Sequence, residues 1–362
     1  MKKLITLSLG IFCAALFLLS GCSGQSADEY AGETITSLKE GDASSFSPLL
    51  EAGLSDVSDD FVLQCPEEIK EPYLELLQDA FASIQFQVEP AKERNDGIYS
   101  VSITYTPVDL GETVRSTNEE TATDPPSADF TETMLAVLKT DSDLIKNAPA
   151  SGTETTTDLK VTETEDGFSI AEEDLLTFLK SALPGFMEPY NTFCELYDMR
   201  DFLISYLDAS FKGEVTQFAL HTGRTEEEAY EWYQAETFDP PEDLSEAYIP
   251  GYQEALKNIM KQCVYTVGIP RKDAGLFSYQ IDVAVTPNNS LADAFHEFEQ
   301  GTYYSIDEVS VGLVTALEKY AAAPTYGTET TVTVPVNMET LMNADQEGSD
   351  LASLAVTILP LP

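Results

Sequence analysis

Basic residues are scarce in this chain: 19 Lys and Arg stand against 63 Asp and Glu, a formal net charge of −44 over 362 residues. A surface so anionic repels phosphate backbones and acidic headgroups, which excludes nucleic acid as a partner. Histidine is rarer still, with His221 and His296 the only two. Neither sits in a His-Glu-x-x-His frame, and no Gly-x-Ser-x-Gly elbow, phosphate-cradling glycine loop or Cys-x-x-Cys pair occurs. Zinc protease, serine hydrolase and nucleotide enzyme therefore lack their motifs, and no cofactor or metal set is implied. Cysteine is sparse and odd in number. Setting aside Cys13 and Cys22 near the N-terminus leaves Cys65, Cys194 and Cys263. Three thiols make no complete disulfide framework. At most one bond forms, with Cys194 and Cys263 in the same half of the chain, and buried free thiols are the expectation.

What is present starts at the N-terminus. Met1-Lys2-Lys3 precedes an apolar run from Leu4 to Leu19, which closes on Leu19-Ser20-Gly21-Cys22. A positive start, an apolar middle and small residues before a cut make a secretory signal. The run lies near the lower length limit for spanning a bilayer. The Leu19–Cys22 stretch resembles the lipobox of bacterial lipoproteins. That resemblance implies cleavage between Gly21 and Cys22 and acylation of Cys22 by diacylglyceryl and palmitate groups. It implies an anchor in the cell membrane on its extracytoplasmic face. Residues 1–21 are then the signal peptide and 22–27 a short tether. Losing Lys2 and Lys3 takes the mature chain to −44 − 2 = −46.

Periodicity predicts helices over Asp28–Lys39, Ser45–Ala52, Pro66–Ile84, Asp129–Lys146 and Glu172–Leu183. Alternation predicts strands over Gln85–Glu89, Tyr99–Tyr105 and Thr155–Thr164, with turns at Asn95-Asp96-Gly97 and Glu165-Asp166-Gly167. The polar stretch Gly111–Pro126 reads as a loop. The second half repeats this plan. An offset of 175 carries Pro66 to Pro241, Tyr73 to Tyr248, Ala80 to Ala255, Ile84 to Ile259 and Gly152-Thr153-Glu154 to Gly327-Thr328-Glu329. Tyr99–Ile103 matches Phe277–Ile281 after a three-residue insertion at Asp273-Ala274-Gly275. The period is too long for a solenoid, so the expectation is two domains, 28–187 and 188–362. The second copy begins with an amphipathic helix through Leu196, Met199, Phe202, Leu203, Tyr206 and Leu207. It has capping boxes at Thr225/Glu228 and Ser305/Glu308. It ends with a strand Thr330–Asn337, an acidic loop Asn343–Asp350 and a final strand Leu351–Leu361.

The fold class expected is α+β: two tandem repeats, each with N-terminal helices packed on an antiparallel curved sheet. Leu38-Lys39-Glu40-Gly41-Asp42, Ser210-Phe211-Lys212-Gly213-Glu214 and the Glu165–Ile170 hairpin carry a further resemblance. It is to the tandem cystatin-like or nuclear-transport-factor-2-like domains of Gram-positive lipoproteins, many of them without an assigned function. That resemblance implies a sheet curled against helices, often with a pocket.

Candidate chemistry is thin. His221 precedes Thr222-Gly223 and reads as an exposed loop residue. His296 with Asp293 or Glu299 could share a helix face, but two ligands on a solvated helix make no metal site. Asp141-Ser142-Asp143 and Asp345–Asp350 lack the ligand spacing of an EF-hand. Tyr248 and Tyr252 read as core. Tyr303 and Tyr304, ahead of a helix cap, are the candidates for an exposed ligand-binding patch. The leading functional reading is a membrane-anchored extracytoplasmic binding or interaction module for a protein, peptide or glycan. The alternatives are a pocket enzyme using carboxylate or Tyr acid–base chemistry and the solute-binding component of a transporter.

Overall fold

The computed structural model describes residues 24–147, 149, 151–242, 244–273, 279–342 and 350–361. The lipobox with Gly21 and Cys22, and most of the acidic run Asp345–Asp350, lie outside these residues. The chain divides into two units: Met1–Ser55 with Glu67–Arg115 and Leu138–Glu188, and Asp56–Pro66 with Ser116–Val137 and Pro189–Pro362.

In the first unit, α1 (Ala27–Glu40) begins with a reciprocal capping box between Ser26 and Glu29. It buries Ala31, Ile35 and Leu38, one helical stripe. A 3-10 turn (Ala43–Phe46) leads into α2 (Ser47–Asp56), and α3 (Glu67–Ala82) follows. The sheet contains β1 (Phe86–Val88), β2 (Lys92–Asn95), β3 (Ile98–Tyr105), β4 (Thr155–Thr164) and β5 (Gly167–Ile170), all pairings antiparallel. On β3, Val101, Ile103 and Tyr105 are buried, and Val101 faces Leu159 across the ladder. Two helices join β3 to β4: α4 (Leu110–Thr123) and α5 (Phe130–Asn147). The unit closes with α6 (Glu172–Ala182), whose Phe178 meets the rings of Phe81 and Tyr105 edge-on.

In the second unit helices again lead into an antiparallel sheet. It comprises α7 (Glu188–Lys212), α8 (Thr216–Thr222), α9 (Glu226–Thr237), α10 (Ile249–Met260), β6 (Val264–Lys272), β7 (Tyr279–Thr286), α11 (Ser290–Glu299), α12 (Ile306–Ala322) and β8 (Thr330–Val336). Short α13 (Met338–Met342) and α14 (Asp350–Ile358) end it. Its sheet runs β6-β7-β8, antiparallel throughout.

The strand registers of the two units run in parallel. Tyr105 pairs with Thr155, and Val285 with Thr330. Gly152 N–H donates to Pro107 O at 3.0 Å, and Gly327 N–H to Pro287 O at 2.8 Å. The offset is 330 − 155 = 175 on the last strand but 285 − 105 = 180 on the central one. The match at 178 read from sequence is thus two short on the central strand, and the first strand is already 265 − 86 = 179 apart, so most of the excess lies ahead of the turn after β6 rather than in it. A slip of two leaves every side chain on the same face of a strand, so alternation in the sequence could not detect it. The surplus is removed in the helices that follow: α4 and α11 start 180 apart, whereas α5 and α12 end 175 apart.

Two sequence expectations fail. Gly111–Pro126 is mostly helix α4, because Asp109 accepts from Glu112 N–H at 2.9 Å and starts it. Its stripe of Leu110, Val114, Asn118 and Ala122 is buried beneath a Thr- and Glu-rich outer face. Leu351–Leu361 is mostly helix α14 rather than a strand. Leu351, Leu354 and Ile358 are buried at helical spacing, and the helix packs on β7 and β8. A short apolar run carries too little polar punctuation to separate the two periods.

Candidate functional site

Helix α7 buries aromatic and aliphatic residues along most of its length. Interrupting them is a polar stripe at three- and four-residue steps: Asp198, Asp201, Ser205, Asp208 and Lys212. Asp198 and Ser205 are buried. Oδ1 of Asp198 accepts from Val62 N–H at 3.1 Å and Leu63 N–H at 2.9 Å. Farther along, Asp208 accepts from Lys212 at 2.6 Å and from the Tyr265 hydroxyl at 2.7 Å. Asp201 pairs with Arg200.

His221 faces this stripe from the last turn of α8. It is not an exposed loop residue: its side chain is 3% exposed, and its ring stacks on Phe202 at 4.9 Å with 7° between planes. The local sequence forces this placement. Gly213 (φ 73°) and Gly223 (φ 66°) take left-handed conformations that end α7 and α8. The chain therefore doubles back within a few residues, and α8 lies against α7. Asp198 approaches the ring, with Nδ1 to Oδ2 at 3.8 Å, and no hydrogen bond to either ring nitrogen is found among the described residues.

Burial sets the charge state of the pair. It drives His221 down from 6.5 to about 4, with Asp201 pulling weakly the other way. It drives Asp198 up from 3.8 to about 6, against the two backbone N–H donors. At neutral pH the imidazole is uncharged and the carboxylate ionised. The tautomer that points Nδ1–H toward Asp198 leaves Nε2 as an acceptor.

A cavity of about 600 Å³ opens beside this ring. Its lining includes His221, Asp201, Ser205, Asp208, Glu214 and Gln217, and no Lys or Arg among the described residues. The size suits a small organic ligand. Ser205 Oγ donates to Phe202 O at 2.7 Å, and Thr216 places a second hydroxyl in the wall. A smaller groove of about 490 Å³ between α10 and α12 carries Glu254, Lys261 and Glu318 without a buried polar group.

The residues expected from sequence fare differently. Tyr304 is 86% exposed, but Tyr303 folds back onto Phe298 at 4.9 Å and donates to its carbonyl. They form no shared patch. His296 is exposed on α11, while Asp293 accepts from Thr325 at 2.6 Å. Asp141 and Asp143 lie on α5 with Asp141 buried, so they form no calcium loop. No group of three metal-ligating side chains exists among the described residues. Tyr252 is buried and Tyr248 half-buried. Cys65, Cys194 and Cys263 are not joined in disulfides. Cys194 lies against Leu63 O and Cys263 near Asn288, and burial raises both thiols to about 12. The signal that sequence reading missed is the polar stripe of α7, five hydrophilic residues at helical spacing on a helix singled out for its apolar face.

No family model matches the chain, and no curated protein matches it. Among solved structures, a chain of Bacillus subtilis (ycdA), provisionally named a lipoprotein, is similar at 14% identity with a TM-score of 0.28. That match covers 44% of this chain and about half, 48%, of the other. No helix among the described residues is long and apolar enough to cross a membrane.

Proposed function

We propose that the protein is a lipid-anchored extracytoplasmic binding module, built from two copies of a cystatin-like or nuclear-transport-factor-2-like α+β plan. Its ligand site is the cavity between α7 and α8. The observation that carries the binding reading is His221: a nearly fully buried imidazole, without a hydrogen bond, at the wall of an open cavity. A neutral Nε2 in the cavity wall is an acceptor, so a ligand donor that reaches it gains a hydrogen bond. The anchoring half rests on Lys2-Lys3, the apolar run and Cys22. One acyl chain gives marginal membrane binding and two give a stable anchor. A Cys22→Ala precursor is expected to lose lipid labelling and to accumulate unprocessed. Unchanged labelling would refute the anchor.

A second reading is an enzyme, and the same pair favours it, since a carboxylate that orients an imidazole is the arrangement of a general base. Against it stands that neither Ser205 nor Thr216, the hydroxyls of the wall, is hydrogen-bonded to the imidazole. A panel of chromogenic ester and amide substrates, run on the native chain and on His221→Phe, separates the two. Turnover that disappears in the variant would favour the enzyme.

A further inference from the structure

Resting on the binding reading above, we propose that this cavity takes a small organic cation with a primary ammonium group. The ammonium donates to His221 Nε2 and to Glu214, and lies in the field of Asp201 and Asp208.

Three features of the site argue together. The first is sign. Every ionisable group in the wall apart from His221 is a carboxylate, in a chain whose formal net charge is −44. Cations are therefore concentrated at the mouth by the field of the whole molecule. Lys212 and Arg200 engage Asp208 and Asp201, while Glu214 is exposed and its side chain has no ion pair among the described residues. The negative charge is thus only partly neutralised from within. The second is hydrogen-bond sense. Carboxylates and a neutral Nε2 all accept, so the wall asks for a ligand rich in donors; an ammonium has three and no acceptor. The third is the ligand count for a metal. One imidazole with scattered carboxylates does not converge, because no three such groups gather within reach of one ion among the described residues. An alkylammonium needs no converged shell, and its methylenes can lie on Ile204 and Val215, which also line the cavity.

The test uses the full mature chain in detergent. Only His221 and His296 carry imidazoles, so two-bond ¹H–¹⁵N spectra resolve the ring nitrogens of each. Titration with 1,5-diaminopentane is expected to shift the Nε2 resonance of His221 and leave His296 unmoved. 1,5-Pentanediol, glutarate and zinc chloride are expected to leave His221 unmoved. Glu214→Gln, an exposed position that does not threaten folding, is expected to weaken diamine binding about tenfold, as for loss of one charge-assisted hydrogen bond. Added salt should weaken it further. A response to the diol, to glutarate or to zinc without one to the diamine would overturn the ammonium assignment while leaving a binding cavity in place. No response to any of the four would remove the cavity as a ligand site and the binding reading with it.

Discussion

The Asp198–His221 pair should be nearly silent in the pH dependence of stability, and either single substitution should make it audible. In the folded chain burial holds Asp198 at about 6 and His221 at about 4. In the unfolded chain they titrate near 3.8 and 6.5. At pH 5 the folded pair therefore carries one proton, on Asp198, and the unfolded pair also carries one, on His221. No proton is taken up or released on unfolding, and stability is flat with pH by linkage. Replace Asp198 by Asn, which keeps an acceptor for Val62 and Leu63, and His221 alone remains. Its folded value lies below its unfolded one, so stability rises with pH between about 4 and 6.5. Replace His221 by Gln and Asp198 alone remains. Its folded value lies above its unfolded one, so stability falls as pH rises from about 4 to 6. Displacement of the imidazole from 6.5 to about 4 corresponds to ~3 kcal/mol, which water reaching the ring through the cavity trims to about 2. The carboxyl contributes a similar amount of opposite slope. Urea unfolding at pH 4.5, 5.5, 6.5 and 7.5, expressed as each variant minus wild type, cancels the many surface carboxylates. Opposite slopes of about 2 kcal/mol across the window, and a flat double variant, are the expected result. Differences that do not depend on pH, or slopes of one sign, would refute the burial of this pair.

Two further expectations follow from the same region and from the discarded patch. Gly223→Ala places a methyl in open space at φ 66° and should cost about 1 kcal/mol through left-handed strain alone. Gly213→Ala, at φ 73°, brings a Cβ within 2.8 Å of the Tyr233 ring and should cost about 2–4 kcal/mol in the same unfolding assay. Tyr304→Ser, at an 86% exposed side chain, should change stability by less than about 0.5 kcal/mol. Tyr303→Ser, which removes the stack on Phe298, should cost about 1–2 kcal/mol.

Much of the fold was legible because the chain punctuates itself. Gly and Asp-Gly turns bracket β3, β4 and β5, and the Thr225/Glu228 capping box forms as the sequence predicts. At Ser305 the box is half made: Ser305 accepts from Glu308 N–H, but the Glu308 carboxylate goes to Tyr304 N–H. Helix α4 hid because Thr and Glu on its outer face imitate a loop, and its buried stripe includes a polar Asn118. Helix α14 hid because a dense apolar run has no readable period. The site was harder to find for a different reason. His221 is separated from Asp198 by 221 − 198 = 23 positions and one left-handed glycine, Gly213. Only the fold-back of α8 on α7 brings them together. Val62 and Leu63, which hold Asp198, come from another stretch of the chain altogether, and no local pattern announces them.

The proposed duplication bears on whether a buried imidazole is something this architecture requires. Laying the end of α1 on the end of α7 places Glu40 on Lys212 and Gly41 on Gly213, an offset of 212 − 40 = 172. The same offset puts Phe46 on Phe218, both buried aromatic residues, so the register survives the turn. It also puts Leu49 on His221 and Ser26, the N-cap of α1, on Asp198. Leu49 is fully buried. One copy thus fills the position with an aliphatic side chain, whose burial is worth about 2 kcal/mol. The other gives up that gain for an imidazole that burial keeps neutral and that finds no hydrogen bond. Packing alone would select the leucine in both copies. A titratable ring held at a thermodynamic disadvantage, beside a cavity rimmed by carboxylates, is a choice that stability does not explain and that the proposed ligand site would.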